Sequence, residues 1–345
     1  MLRYDFIKED ILSIMNSDNF KNTFDNASVL ITGATGLIGS MCCRSLSYLA
    51  HHYNLNIRII ATVRDVTKAK NMLSDVIDFD NVNFIQQDIL SPIEYSESID
   101  FIIHAACPTA SNMFVSNPVE TIRSIVEGTT NVMNFASKCN CKSVVYLSSM
   151  EAYGQILHEN LLKPEDVGYL NPLSLRSCYP EGKRMAENLC ISFSHEYKVP
   201  VKIIRLAQTF GPGIPATDTR VFAQFMHSVQ KNEDIVMFTE GGSKRMYLDT
   251  MDAVNAVLTV LLYGKNGEVY NAGNKHNYYS IKEMAELVIR EFGNGTSKLV
   301  IDKSKNVGQF PPDNMLRLDV APLEALNWFP KYSLKDMYSR MIKTI

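Results

Sequence analysis

The chain has 345 residues, 34 basic against 37 acidic side chains for a formal net charge of −3, and 46% hydrophobic against 21% charged residues. That length allows one large α/β domain or two smaller ones, and the composition is that of an ordinary globular protein. A charge so close to balance leaves no basic footprint for nucleic acid or an anionic membrane, and no apolar run reaches the roughly 18 residues that a membrane span needs.

The N-terminal MLRYDFIKEDIL mixes acids into its apolar residues and has no secretory h-region, so a cytoplasmic protein is expected. Residues 1–27 read as one extra amphipathic helix ahead of the first strand. The cysteines, seven in number, form no CxxC pair, and the histidines form no HExxH or HxxxH. Neither a disulfide framework nor a metal site is therefore expected, only buried thiols and surface imidazoles.

From residue 28 the pattern alternates. SVLIT (28–32), IRIIATV (57–63), VNFIQ (82–86), FIIH (101–104), SVVYL (143–147) and VKIIRL (201–206) are continuous β-branched runs. Such runs suit parallel strands covered on both faces. Helical stretches lie between them at 37–50, 118–138 and 179–197. This alternation predicts an α/β fold, a Rossmann-type doubly wound parallel sheet. After Gly211 the chain changes character: a Pro/Gly/Thr loop precedes a helix at 221–230, a strand at 235–238, a helix at 251–262, a strand at 268–271 and a helix at 280–292. The expectation is a dinucleotide lobe over 28–210 and, over 211–345, a smaller C-terminal α/β substrate lobe with some segments returning to the first.

The first strand runs into Thr32-Gly33-Ala34-Thr35-Gly36-Leu37-Ile38-Gly39, a GxxGxxG turn that opens a helix. Glycines let the backbone approach a pyrophosphate, and the helix end supplies free N–H groups and a partial positive charge. The cofactor is thus expected to be NAD(P). At the end of the second strand an acid reads the ribose of NAD, whereas Arg accommodates the 2′-phosphate of NADP. Here Arg64 comes first and Asp65 follows, so the residue pair leans to NADP but leaves both open. Asp88 and Ile89 are placed to meet the adenine, and Ala105-Ala106, after His104, to flank the cofactor.

Tyr179-Pro180-Glu181-Gly182-Lys183 puts a phenol and an ammonium on one helix face. An unperturbed phenol titrates near 10, and a nearby Lys⁺ together with a positive nicotinamide favours the phenolate. Ser149, in SSMEAYG at the end of the fifth strand, can hydrogen-bond the same substrate hydroxyl.

With TGATGLIG, HAA, SSMEAYG, YPEGK, RLAQTFGPG and the closing NW-P in view, the sequence resembles the extended short-chain dehydrogenase/reductase family, specifically its nucleotide-sugar epimerases, dehydratases and decarboxylases. NPLSLRSCYPEGKRMAENLC and NPVETIRSIVEGTTNVM look most like UDP-glucuronate decarboxylases. The resemblance implies that Tyr179 takes the proton of the sugar 4-OH, with Ser149 and Lys183, while hydride leaves C4. The 4-ketone then acidifies neighbouring carbons or releases a C6 carboxylate. Dehydratases of this group carry Thr-Asp-Glu where this chain has Ser149-Met150-Glu151. Met150 donates no proton, and Glu151 points to chemistry beyond plain C4 inversion. A hydrogen bond to ribose or backbone is the bland alternative for Glu151.

The resemblance also matches Arg245 to the arginine that grips the diphosphate, and Gln208 and Thr209 to the nucleoside wall. Arg220 and Arg317 are further phosphate or carboxylate candidates, although Leu316-Arg317-Leu318-Asp319 fits the decarboxylase RKPD segment imperfectly. Ser124 or Ile125 stands where relatives commonly have Asn. Asp249 and Asp252 are expected to cap or solvate a helix, and Tyr278-Tyr279 to lie in core or interface. The partners implied are a nucleotide-diphosphate sugar and a second copy, through helices at 121–138 and 183–196. Alternatives are an NADPH-dependent keto-sugar reductase, a 4,6-dehydratase and a non-catalytic nucleotide-sensing module.

Overall fold

A computed structural model describes residues 5–14, 18–77, 81–109, 111–305 and 313–344. Seven parallel strands form the central sheet. Six of them are β1 (Ser28–Thr32), β2 (Arg58–Val63), β3 (Val82–Gln86), β4 (Phe101–His104), β5 (Ser143–Ser149) and β6 (Val201–Leu206). In space β6, β5, β4, β1, β2 and β3 follow one another, and Val269–Ala272 adds an edge strand beside β6. This is a Rossmann-like α/β fold. The order reverses between β1 and β4, where a doubly wound sheet opens its ligand crevice beyond the carboxyl ends of its strands.

Almost every β1, β4 and β5 side chain is buried, because helices cover both faces. Leu37–Tyr53 and Thr250–Tyr263 lie on one face, and Pro118–Cys139 and Cys178–Glu196 on the other. The first and third of these helices end on asparagines in the left-handed region, Asn54 (φ 52°) and Asn140 (φ 51°). Asparagine tolerates that conformation at a helix C-terminus. Ile125 fills the approach of the last two helices: a Cβ on Gly182 would sit 3.1 Å from its Cδ1. An apolar residue at this position is thus a packing solution.

The second lobe carries its own sheet. Lys244–Asp249 pairs with Gln208–Phe210, Asn274–Ser280 and Met315–Leu316. Helices Val221–Gln230, Ile281–Phe292 and Leu334–Ile342 cover it with a separate apolar core. The chain re-enters the first lobe between these pieces, as helix Thr250–Tyr263 and strand Val269–Ala272.

Helices Lys8–Ile14 and Asp18–Phe24 precede the first strand; residues 1–4 and 15–17 of the expected N-terminal helix lie outside the described residues. Two expectations are corrected. Asp249 does cap helix Thr250–Tyr263, accepting from Met251 N–H at 2.8 Å, but neither it nor Asp252 is solvated: they are 0% and 3% exposed. Arg340 bridges Asp249 to Asp10 of the first short helix, and Tyr332 donates to the same Asp10. His104 is likewise buried rather than on the surface, wedged between the hydroxyls of Thr32 and Thr129. Burial, reinforced by nearby Lys183, lowers its pKa to about 3, so the imidazole is neutral.

Candidate active site

The glycine turn is built for close approach. Gly33 has φ +69°, and a Cβ there would fall 2.7 Å from the backbone of Ala106. A Cβ on Gly39 would reach 2.3 Å from the Gly33 carbonyl. Only glycine fits at both positions. Helix Leu37–Tyr53 starts at Gly36 with no side-chain cap among the described residues, so its first amides open into the cleft.

That cleft lies between the lobes. It is lined by Gly36, Leu37, Ile38, Gly39, Ala105, Cys107, Phe114, Ser149, Glu151, Tyr179, Lys183, Gln208, Thr209 and Arg220. Glycine loop, phenol–lysine pair and Gln-Thr segment, far apart in sequence, thus meet in one space. The other candidates stand outside the lining. Thr35 is half-buried in the turn. Asp88 is exposed and accepts from Leu90 N–H at 2.9 Å, while Ile89 packs on Gly128. Arg64 is exposed directly after β2; Asp65 caps helix Val66–Met72 through Lys68 N–H. Ala106 donates to Thr32 Oγ1.

Around Tyr179 the packing is tight. Its ring stacks on Phe114 with centroids 4.3 Å apart. Lys183 is 3% exposed, donates to the Leu147 carbonyl at 2.7 Å and has its Nζ 5.8 Å from the Tyr179 ring centre. Burial, then Cys107 and Glu151, pushes the phenol well above its ordinary range, against a hydrogen bond with Ser149 and the charge of Arg176. Without another positive charge beside it, this phenol keeps its proton.

Ser148, Ser149 and Met150 all border the cleft: Ser148 donates to Glu187, Ser149 ends β5, and Met150, directly after the strand, is buried and packs into the core. The Ser149 hydroxyl accepts from Glu151 N–H at 3.2 Å. The Glu151 carboxylate meets Arg176, whose Nη2 lies 2.7 and 3.0 Å from its two oxygens. Arg176, Phe114 and Cys107 were not singled out from the sequence, although Arg176 lies within the NPLSLRSCYPEGKRMAENLC segment that carries the resemblance. They belong to loops and a short helix that are brought to the site only by folding.

In the second lobe Arg245 lies two residues before Tyr247, the register partner of Gln208, and its Nε is buried with no hydrogen-bond partner among the described residues. Arg220 pairs with Asp218 at 2.6 Å. Arg317 is exposed, its guanidinium 5.8 Å from the Tyr278 ring centre. Tyr278 is half-buried, burial raising its pKa to about 12. Among the described residues no group of His, Cys, Asp or Glu is arranged to hold a metal ion, and no helix is long and apolar enough to cross a membrane.

Residues 29–273 match the NAD dependent epimerase/dehydratase family. The chain belongs to that family. It is 28% identical to UDP-glucuronic acid decarboxylase 5 of Arabidopsis thaliana, over 92% of this chain and 89% of the relative. It is 29% identical to UDP-glucuronic acid decarboxylase 1 of Xenopus tropicalis, over 94% and 73%. Among solved structures it resembles a dTDP-glucose 4,6-dehydratase from Streptomyces venezuelae with NAD and TYD bound (TM-score 0.75, 20% identity, covering 92% of this chain and 96% of that one). It also resembles a UDP-glucuronic acid 4-epimerase from Bacillus cereus in complex with UDP-glucuronic acid and NAD (TM-score 0.75, 19% identity, 92% and 98%). The protein is therefore an enzyme of the nucleotide-sugar epimerase, dehydratase and decarboxylase group, which sets aside the non-catalytic module.

Proposed function

We propose that this enzyme oxidises a nucleotide-diphosphate sugar at C4 and then decarboxylates it, with UDP-glucuronate as the first substrate to try. The observation that carries the reading is the placement of Glu151 in the same cleft as Ser149, Tyr179 and Lys183. C4 oxidation needs only the last three; an additional carboxylate serves a later step. In this scheme Tyr179 accepts the 4-OH proton, Ser149 orients that hydroxyl and Lys183 supplies positive charge beneath the phenol. The Gly33–Gly39 turn and the uncapped helix end fit a dinucleotide, and NAD(P) bound there supplies the hydride acceptor and a positive ring. Arg245, with its unpaired Nε, holds the diphosphate, and Gln208, Thr209 and Arg220 wall the nucleoside. Arg64, free of the capping duty that occupies Asp65, favours acceptance of NADP beside NAD. Dehydration is disfavoured because buried, aliphatic Met150 supplies no acid.

The test is incubation with UDP-, GDP-, CDP- and dTDP-sugars, UDP-glucuronate included, with product masses read out. Loss of carbon dioxide supports the proposal. Loss of water, or an isomer of unchanged mass, replaces decarboxylation by dehydration or epimerisation. Stoichiometric consumption of NADPH instead identifies a keto-sugar reductase. In Glu151→Gln the steps after C4 oxidation are expected to be lost. A homodimer is part of the same proposal, supported by the exposed Val119 and Ile122 on one long helix and Met185 on its neighbour, and a cytoplasmic location is proposed from the sequence alone.

A further inference from the structure

We propose that Arg176 is a positioning residue that aims the Glu151 carboxylate and ties it to Tyr179, an inference that rests on the function proposed above. Arg176 sits in the single turn Leu175–Ser177, directly before the helix that carries Tyr179 and Lys183. Its Nη2 holds both Glu151 oxygens, at 2.7 and 3.0 Å. Its guanidinium lies 4.6 Å from the Phe114 ring centre, and Phe114 stacks on Tyr179 at 4.3 Å. Cys178 donates to the Phe114 carbonyl and keeps that short helix in place. One side chain therefore touches the proposed second-step group through its charge and the proposed first-step group through one aromatic ring.

The physical need is plain. A glutamate in the cleft has freely rotating bonds and samples several rotamers, whereas a group that serves the reacting carbon after carbon dioxide has left must face it in one direction. The backbone of Glu151 is already fixed by Ser149, so only its carboxylate remains to be aimed. A planar guanidinium resting on an aromatic face is itself restricted to that plane and transmits the restriction to the carboxylate.

The experiment compares wild type, Arg176→Lys, Arg176→Gln, Glu151→Gln and the Arg176→Gln/Glu151→Gln pair in single turnovers of UDP-glucuronate. Reduced nicotinamide absorbance and carbon dioxide release are followed together. Arg176→Gln is expected to form reduced nicotinamide within about 3-fold of the wild-type rate and then to hold it, because the following step slows roughly 100-fold. Arg176→Lys restores part of that loss. The double variant is no slower than Glu151→Gln, since the arginine acts through the carboxylate. Equal slowing of both steps, or a double variant slower by the full product of the two effects, overturns the proposal. Crystal structures of Arg176→Gln and Arg176→Lys give a readout that needs no turnover. The carboxylate is expected to leave its place in the first and keep it in the second, and an unmoved carboxylate in Arg176→Gln overturns the assignment. Failure of the wild type to convert any nucleotide sugar counts against the proposed function, and the crystallographic comparison then still decides the role of Arg176.

Discussion

Two arginine–carboxylate pairs flank the end of β5, one beneath it and one at the cleft mouth. Beneath, Arg205 grips Glu187 through Nε and Nη2 at 2.9 and 2.7 Å, with the side chains 5% and 9% exposed. Ser148 donates to the same carboxylate, Arg205 also donates to the Pro164 carbonyl, and its guanidinium lies 4.6 Å from the Tyr153 ring centre. At the mouth, Arg176 and Glu151 are 36% and 33% exposed. The bonds are alike and the consequences differ. A buried pair whose every polar atom is satisfied braces the fold, and losing one partner strands a charge. A half-exposed pair contributes little to stability and can be opened by a ligand. Between these two pairs, burial rather than residue type separates the brace from the cleft group.

The largest expected effect keeps the scaffold and removes the chemistry. Tyr179→Phe should lower turnover at least ~1000-fold while cofactor binding, measured by titration, is retained. Near-normal turnover would remove the phenol from the mechanism. Next comes the brace: Arg205→Ala should cost about 3–5 kcal/mol in urea unfolding, because Glu187 is left buried and unpaired. A loss under ~1 kcal/mol would mean that the two pairs do not differ as described.

Asp252 sharpens the contrast, as a buried carboxylate held by backbone N–H groups of Lys331 and Tyr332. Burial, then the neighbouring Asp249, raises its pKa to about 7. Because that value lies above the ordinary ~3.9, the folded state holds the proton more tightly. The resulting stabilisation is present below the unfolded value and is lost as pH rises through about 7. Asp252→Asn, which carries no charge, should therefore gain about 1–2 kcal/mol relative to wild type between pH 5 and pH 8 in paired denaturation curves. A pH-independent difference would remove the titration from this site. The smallest stability effect is expected of Glu151→Gln, within about 1 kcal/mol of wild type, since its pair is half-exposed.

Much of the first lobe was legible. β1, β3, β4 and β6 start and stop where their predicted runs do; β1 and β4, covered on both faces, are apolar almost throughout and fully buried, whereas edge strand β3 is half-buried to exposed along its length. β5 runs two residues past its apolar core to Ser149, since the end of the strand is where polar groups enter the cleft. The strand Lys244–Asp249 was not legible: KRMYLD mixes charge with apolar residues because its first two residues are half-buried and the other four buried. The partnership of Asp10 with Arg340, 330 positions away, leaves no local trace.

By itself the sequence determined the doubly wound sheet, the glycine turn and the Tyr179–Lys183 spacing. Each is a local pattern, enforced by strand burial, by a turn that admits no Cβ, or by helical pitch. Only the tertiary structure decided which charged groups are scaffold and which face the cleft. Glu187 and Glu151, Arg205 and Arg176 are equivalent as letters. Their roles follow from how much water reaches them and which distant side chains fold against them, and neither quantity is written in a neighbouring residue.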